Sequence, residues 1–221
     1  MVPIQLEDKR VIPGDLTDLA AFRRWAQSDQ FPEYGRFAYL AGKVWVDLSM
    51  EQAYTHNQVK TRINSVLDSL ALSLQLGNYF SDGLDLSNPA ADLSTVPDGM
   101  LVTYEALRAG RVCQIEGSEG GCIELVGTPD MVLEVVSKTS VHKDTVELRR
   151  LYWLAEVSEY WLIDARGAEP RFDLLRRGAR GYTATRRQGG WLRSPMFGRS
   201  FQLSRQTDPL GNPQFILAQR P

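Results

Sequence analysis

The sequence predicts a single α/β domain with a mixed central β-sheet that is flanked by helices and extended by antiparallel strands at both ends. Two patterns favour it: short apolar, β-prone runs alternate with helical spacing in the middle of the chain, and β-like runs alone follow. The length of 221 residues suits one domain with at most an appendage. We expect a helix and hairpin at about 15–50, the core at about 53–165 and Arg-rich strands at about 166–221.

The N-terminal part is predicted from one helical and one alternating pattern. Residues 15–27 show helical spacing, with Asp15 as a candidate N-cap. The apolar residues that define this spacing are Leu16, Leu19, Phe22 and Trp25. Residues 37–47 then predict a hairpin that turns at Ala41-Gly42.

The core is predicted from one long helix and three short strands. Residues 53–75 carry an apolar stripe typical of an amphipathic helix. The runs 99–103 and 131–136 are short and apolar, and each follows a Pro-Asp pair. Residues 144–156 predict a short helix and 159–165 a buried strand.

The segment before the first of these strands, 77–97, is predicted to be irregular and is a candidate functional loop. After residue 165 the chain predicts antiparallel strands. The β-like runs are 171–176, 181–186, 197–203 and 214–218.

The net charge of −2 hides an asymmetry along the chain. Residues 166–205 contain ten Arg, no Lys and only two acidic residues, a balance of +8. Residues 1–165 carry −10 in compensation. This basic segment is compatible with a polyanionic partner, and equally with strand faces on which arginines are simply solvated.

The composition excludes several classes of protein. Apolar residues make up 43% and charged residues 24%, so the chain is neither disordered nor collagen-like. Two cysteines, Cys113 and Cys122, exclude a disulfide framework and, without paired histidines, do not favour zinc. No apolar run reaches the ~18 residues of a membrane span, and the first residues lack the pattern of a secretory signal. We therefore expect a cytoplasmic protein without membrane contact.

Glu134 is the residue that most needs a partner. On a strand the side chains alternate, so Asp130, Val132, Glu134 and Val136 share one face. An unpaired carboxylate in an apolar strand is costly, and a bound cation would resolve that cost. Backbone donors or an arginine would resolve it as well.

Asp98 is the natural second acid because it opens the other Pro-Asp strand. It shares a face with Met100 and Val102. If the two strands are neighbours, Asp98 and Glu134 could share a Mg²⁺ or Mn²⁺ ion, which prefers carboxylate and water oxygens. The alternative is that Asp98 is only a turn residue after Pro97.

An ion between two acids suggests phosphodiester chemistry, which usually needs a cationic or basic group nearby. Lys143, at the mouth of the helix that begins near Asp144, could reach back to the strand end, and Lys138 is a second candidate. Either could instead be a solvated loop lysine. His56, near the start of the long helix, could act as a base or contact phosphate, or be a polar residue at a helix start.

The stretch 128–164 resembles the Uma family of predicted restriction endonucleases, a branch of the PD-(D/E)XK nuclease superfamily. The resemblance rests on Pro-Asp-Met-Val-Leu-Glu-Val-Val-Ser and on the later Glu-Tyr-Trp-Leu-Ile-Asp, and extends over roughly 20–205. It implies a restriction-endonuclease-like core with a divalent-metal site on a β-hairpin. Asp98 and Glu134 match the two metal-binding acids, and Asp130 matches a second Pro-Asp that is a ligand or a structural cap.

The lysine of the family motif is not where it is expected. Val136 stands two residues after Glu134, and Leu148 occupies the position from which many family members supply a lysine. Lys143 is the best substitute, with Lys138 behind it.

Three functions follow from these observations. The first is a Mg²⁺- or Mn²⁺-dependent endonuclease that acts on nucleic acid, most of all DNA; we expect a homodimer, because cutting two strands needs two sites. The second is a catalytically inactive module that binds nucleic acid or protein. The third is an interaction domain in which Asp98, Asp130 and Glu134 only cap strand ends.

Overall fold

The computed structural model describes residues 4–5, 11–118 and 120–221, which form helices and strands in alternation. In chain order the helices are α1 (Leu19–Ala26), α2 (Val59–Ser73), α3 (Tyr104–Arg108) and α4 (Leu148–Leu154). The strands are β1 (Ile4–Gln5), β2 (Val11–Ile12), β3 (Arg36–Leu40), β4 (Lys43–Asp47), β5 (Gly77–Ser81), β6 (Asp85–Asn88), β7 (Leu93–Thr95), β8 (Gly99–Thr103), β9 (Val112–Glu116), β10 (Cys122–Gly127), β11 (Met131–Val135), β12 (Glu159–Asp164), β13 (Arg171–Gly178), β14 (Gly181–Ala184), β15 (Leu192–Ser194), β16 (Arg199–Thr207) and β17 (Pro213–Arg220).

The longer strands form three sheets. The first sheet has the order β4-β3-β7-β6-β10-β9, and the central sheet has the order β14-β13-β12-β11-β8-β5. The third sheet is β15-β16-β17, and β1 pairs with β2. The central sheet is mixed, since β11 runs parallel to β12 and antiparallel to β8. The predicted α/β fold with a mixed sheet, flanking helices and antiparallel strands at both ends is confirmed.

The central sheet is covered on both faces. One face packs with α4 and the first sheet, where Tyr152, Val132 and Leu93 share a core. The other face packs with α2 and the third sheet, where Leu67 and Phe201 belong to a second core. This burial on both sides explains why the central strands are almost continuously apolar.

Two helices begin with a wider turn. A π-helical turn at Ala53–Gln58 precedes α2, and another at Lys143–Glu147 precedes α4. Such turns are rare and occur frequently at functional sites. These two present His56 and Lys143, both named from the sequence.

Some sequence predictions about elements are wrong. The helix predicted at 15–27 begins at Leu19, and its N-cap is Asp18, whose Oδ1 accepts from the N–H of Ala21 at 2.8 Å. The segment 77–97, predicted to be irregular, contains β5, β6 and β7. β9 and β10 were not predicted.

The strands in 77–97 escaped prediction for a physical reason. They are short, and β6 and β7 bury polar side chains, including Ser87, Asn88 and Ser94. A hydrogen bond from Asn88 Nδ2 to the carbonyl of Gly127, at 3.0 Å, compensates for the burial of Asn88, whereas Ser87 Oγ has no hydrogen-bond partner among the described residues. The apolar alternation that marks a strand in sequence is therefore absent here. Within the described ranges, no helix combines the length and apolar character needed to cross a bilayer.

Candidate active site

The pairing of β8 with β11 brings the two predicted acids together. The register pairs Val132 with Met100 and Leu133 with Gly99, so its next step sets Glu134 opposite Asp98. Residues directly opposite on antiparallel strands have Cβ atoms about 5 Å apart. The expectation that these strands are neighbours is confirmed.

Asp98 is fixed by contacts on both its side chain and its backbone. Its Oδ2 accepts a hydrogen bond from the N–H of Val135 at 2.7 Å, in the place that a backbone carbonyl of the paired strand would otherwise take. Its carbonyl accepts from Asn64 Nδ2 of α2 at 3.0 Å. Tyr79 donates to Asn64 at 2.7 Å, and a Cβ at Gly99 would lie only 2.2 Å from the Tyr79 hydroxyl. Glycine at 99 thus permits the close approach of α2 that holds Asp98.

Both acids line a cleft of about 580 Å³. The first sheet and its hairpin form the opposite wall, which includes Phe37 and Trp45. Among the described residues that line the cleft, seven are carboxylates and two are cationic: Glu33, Asp47, Asp82, Asp85, Asp98, Glu134 and Asp144, with Arg36 and Lys143. The cleft is therefore rich in acidic groups, and those that are ionised would repel a phosphate unless a cation offset their charge.

Glu134 is the most deeply buried acid of the central strands, with 2% of its surface exposed. The Tyr152 hydroxyl donates to its Oε1 at 2.6 Å. Burial raises the pKa of Glu134 well above its usual value, and the charges of Asp144 and Asp98 raise it further, against the opposing effects of Lys143 and Tyr152. A bound cation would favour the ionised carboxylate and reverse this shift.

Lys143 reaches the acids from the π-helical turn before α4. Its Nζ lies 3.3 Å from Asp144 Oδ1, and only 15% of the side chain is exposed. Burial by itself lowers the pKa of Lys143, but the charges of Glu134, Asp144 and Asp98 outweigh burial, so the net effect raises the pKa. The side chain remains an ammonium ion at neutral pH.

Asp144 is a buried acid that sequence reasoning named only as a helix start. Its Oδ2 accepts from Ser140 Oγ at 2.5 Å. Among the described residues, the one partner of its buried Oδ1 is the Lys143 ammonium, 3.3 Å away. Burial raises the pKa of Asp144, although Lys143 opposes this. One weak signal was present in the sequence: Asp144 directly follows Lys143, the lysine chosen for the site.

A second cluster of ions adjoins Asp98 on its other side. Lys60 Nζ lies 2.5 Å from Glu51 Oε1, 2.5 Å from Asp82 Oδ2 and 3.5 Å from Asp98 Oδ1. Sequence reasoning missed this lysine. Its spacing from Ile63 is the signal that could have found it, because i and i+3 share a helix face and this face is buried.

His56 lies at the junction of these groups. Its Nδ1 is 2.6 Å from Glu51 Oε1, and its Nε2 is 3.9 Å from Asp98 Oδ2. Glu51 also accepts from Arg36 at 2.8 Å and from Asn57 at 2.7 Å. These donors, together with Lys60, outweigh burial and lower the pKa of Glu51 strongly. The structure thus places His56 beside the predicted acid.

Asp130 and Lys138 lie outside this group. Asp130 precedes β11 at the end away from Glu134 and accepts from Thr103 N–H and Arg111 Nη2, both at 2.8 Å. These contacts match the structural cap that the sequence left open. Lys138 is exposed in the loop after β11 and borders a neighbouring groove rather than the cleft.

The residues present fit a hard divalent cation. Asp98 and Glu134 offer oxygen ligands, and Asp144 adds a buried oxygen, Oδ1, whose partner among the described residues is the Lys143 ammonium. No three His, Cys, Asp or Glu side chains in the described chain converge closely enough to hold a metal by themselves. Mg²⁺ and Mn²⁺ commonly bind through one or two carboxylates and keep several waters, so two acids suffice.

Comparison with known proteins identifies the family and the fold of the chain. A family model described as "Putative restriction endonuclease" matches residues 19–206. Among solved structures, "a putative nuclease belonging to DUF820" from Anabaena variabilis is 19% identical, with 82% of this chain and 90% of that chain covered and a TM-score of 0.54. At this identity the likeness shows the fold alone, and no curated protein matches the chain. The chain belongs to the Uma2 family of restriction-endonuclease-like proteins and has a nuclease-like fold.

Proposed function

We propose that the chain is a Mg²⁺- or Mn²⁺-dependent endonuclease that hydrolyses phosphodiester bonds of nucleic acid, DNA in particular. One observation carries the proposal. Asp98, Glu134 and Lys143 come from two strands and a helical turn, and all line one acidic cleft. Family membership supports the same activity.

Asp98 and Glu134 would hold the metal ion. When bound, a divalent ion lowers the pKa of water and offsets the charge on phosphate oxygens. The carboxylates fix the position of that charge, since one is tied to Val135 and the other to Tyr152. Their rigidity favours the transition state, because charges already in place need no reorganisation during the reaction.

Lys143 would act on the phosphate. In the hydrolysis a water oxygen bonds to phosphorus, the bond from phosphorus to one sugar oxygen breaks, and a proton goes to that leaving oxygen. Negative charge grows on the phosphate during this exchange. The Lys143 ammonium offsets that charge and can orient the attacking water, as positioning and electrostatics carry most phosphoryl-transfer catalysis.

A catalytically inactive module that binds nucleic acid or protein is the second candidate. The observation in its favour is Val136, which stands where the family motif has lysine and packs in the core at 1% exposure. A lysine at position 136 could take the place of Lys143 only as a buried charge.

Cleavage assays separate the two candidates. We expect purified protein with Mg²⁺ or Mn²⁺ to cleave DNA, and Glu134→Ala or Lys143→Ala to lower the rate at least about 100-fold. Lys138→Ala tests the other candidate lysine and should cleave like the parent. Lys43→Ala, an exposed hairpin lysine, is the control for loss of charge.

Two outcomes would contradict the proposal. Cleavage that survives Glu134→Ala unchanged rules out the assigned site. Binding of nucleic acid without any cleavage across DNA and RNA substrates supports the inactive module. Sedimentation with and without duplex DNA tests the expected homodimer, which predicts two chains per particle.

A further inference from the structure

We infer that the Lys60 ammonium is a built-in second cation of this site, so that each chain binds a single divalent ion. The inference rests on the proposed metal site at Asp98 and Glu134. It adds the number of metal ions that the site binds, and it assigns a role to a lysine outside the family motif.

Three carboxylates from separate segments surround the Lys60 nitrogen. Glu51 comes from the segment before the first π-helical turn, Asp82 from the turn after β5, and Asp98 from the start of β8. Their oxygens lie 2.5, 2.5 and 3.5 Å from Nζ. Such a set of carboxylate oxygens is also what Mg²⁺ and Mn²⁺ prefer.

The ammonium is fixed in place rather than exchangeable. Lys60 is 4% exposed and belongs to the buried side of α2. A buried charge with three anionic neighbours stays where the helix holds it.

Asp98 connects this ammonium to the proposed metal. Its Oδ1 faces Lys60, while its Oδ2 faces Val135 beside Glu134. Sites with two metals hold the ions about 3.5–4 Å apart and share a carboxylate between them. Lys60 and a metal on Glu134 would share Asp98 in that manner, and a second divalent ion would be repelled by the ammonium.

Counting bound Mn²⁺ tests the inference without reference to activity. Equilibrium titration followed by electron paramagnetic resonance should give one Mn²⁺ per chain in the parent, and none in Glu134→Ala. Lys60→Ala should bind a second Mn²⁺, because the three carboxylates, which are spaced around an ammonium in the parent, can then close on the metal ion. Adding Asp82→Asn to Lys60→Ala should return the count to one, and Lys43→Ala should not change it.

Lys60→Ala leaves three acids without their cation and can unfold the chain. In that case Mn²⁺ should restore its melting transition, with a larger gain in Tm than in the parent, and the gain should vanish in Lys60→Ala/Asp82→Asn. Absence of this recovery overturns the inference. So does a count of two Mn²⁺ in the parent or of one in folded Lys60→Ala.

The failures of the two proposals are distinguishable. If the parent binds no Mn²⁺, or if Glu134→Ala binds as the parent does, the metal site itself is wrong and both fall. If the parent binds one Glu134-dependent ion and Lys60→Ala still binds one, only the role of Lys60 is wrong.

Discussion

A single carboxylate, Glu134, lies in an otherwise apolar strand with Tyr152 above it and Lys143 beside it. Strand alternation and the family resemblance were enough to select it, together with Asp98 and Lys143. Lys60 was not selected, because its carboxylate partners come from distant segments. Asp144 contacts Ser140 and Lys143 locally, but its burial near Asp98 and Glu134 joins separate segments. A residue's burial beside charges that are remote in sequence is a tertiary property, and no local pattern encodes it.

Glu134→Gln should stabilise the metal-free protein at neutral and higher pH. Burial raises the pKa of Glu134, so the folded chain keeps a proton that the unfolded chain loses above about pH 4.3. The proton on Glu134 stabilises the folded chain fully below that pH. This contribution is lost, by about 1.4 kcal/mol per pH unit, as the pH rises through the raised pKa that Glu134 has in the folded chain. Glutamine has no proton to lose, so the gain should grow with pH, at about 2–4 °C in Tm per kcal/mol.

Glu159→Gln is the matched contrast. Glu159 is also buried, but its oxygens accept from Met196 N–H, Trp161 Nε1 and Ser194 Oγ at 2.7–3.0 Å. A glutamine amide would place N–H groups against these donors, so this variant should lower Tm. Thermal melts of both variants from pH 4 to 9 check the pair. A Glu134→Gln curve parallel to that of the parent would contradict the raised pKa.

At the scale of elements, helices and strands with clear periodicity were predicted, and short polar strands were not. The hairpin at 37–47, the long helix and the strands at 99–103 and 131–136 follow directly from apolar spacing. β6 and β7 have three or four residues each, and several of their buried side chains are polar, so these strands lack the apolar pattern that marks a strand in sequence. The attachment of α1 to the first sheet was also not predicted, since it joins segments that are distant in sequence. Phe22 and Trp25 pack on Tyr39 and Phe37 of β3, and an ion pair links the helix to β10.

We expect the ion pair between Arg23 and Glu124 to contribute more to stability than Arg24, the next residue of α1. Arg23 donates to both oxygens of Glu124 in β10, at 2.7 and 2.8 Å, and Gln27 adds a third bond. Glu124 is buried, so Arg23→Ala leaves it without its charged partner and should cost about 2–3 kcal/mol, allowing for the partial exposure of Arg23.

Arg24→Ala, on the exposed side of α1, should change stability by less than about 0.5 kcal/mol. Urea unfolding of the two variants and the parent measures the difference. Equal losses from both substitutions would show that Glu124 does not depend on Arg23.

For the whole molecule, the acidic part of the chain, residues 1–165, supplies all seven acidic residues among those described that line the cleft. The family resemblance implied two of them, Asp98 and Glu134. The wall that the first sheet adds was not predicted, because that sheet also contains β6, β7, β9 and β10. The sequence of the Arg-rich segment does not decide whether its arginines bind a polyanion or are only solvated. Arg186 and Arg193 are exposed, and neither forms an ion pair with the described residues.

DNA binding at a series of salt concentrations decides between these possibilities. If Arg186 and Arg193 contact phosphates, replacing both with alanine should lower the slope of log K against log salt by about 2, at every sequence tested. Mn²⁺ binding should not change, because neither side chain lines the cleft. Fluorescence anisotropy of labelled duplexes gives the slopes, and an unchanged slope would mean that the two arginines are solvated.

The bond from Val135 N–H to Asp98 gives this aspartate two duties at once. One is to fasten β11 beside β8, and the other, in the proposed function, is to hold the metal ion. Lys143, by contrast, has no part in the pairing of strands. We therefore expect relatives that lose catalysis to lose the lysine first and to keep the aspartate. An aspartate at this position in a relative would then indicate that the fold is kept, and would not by itself indicate activity.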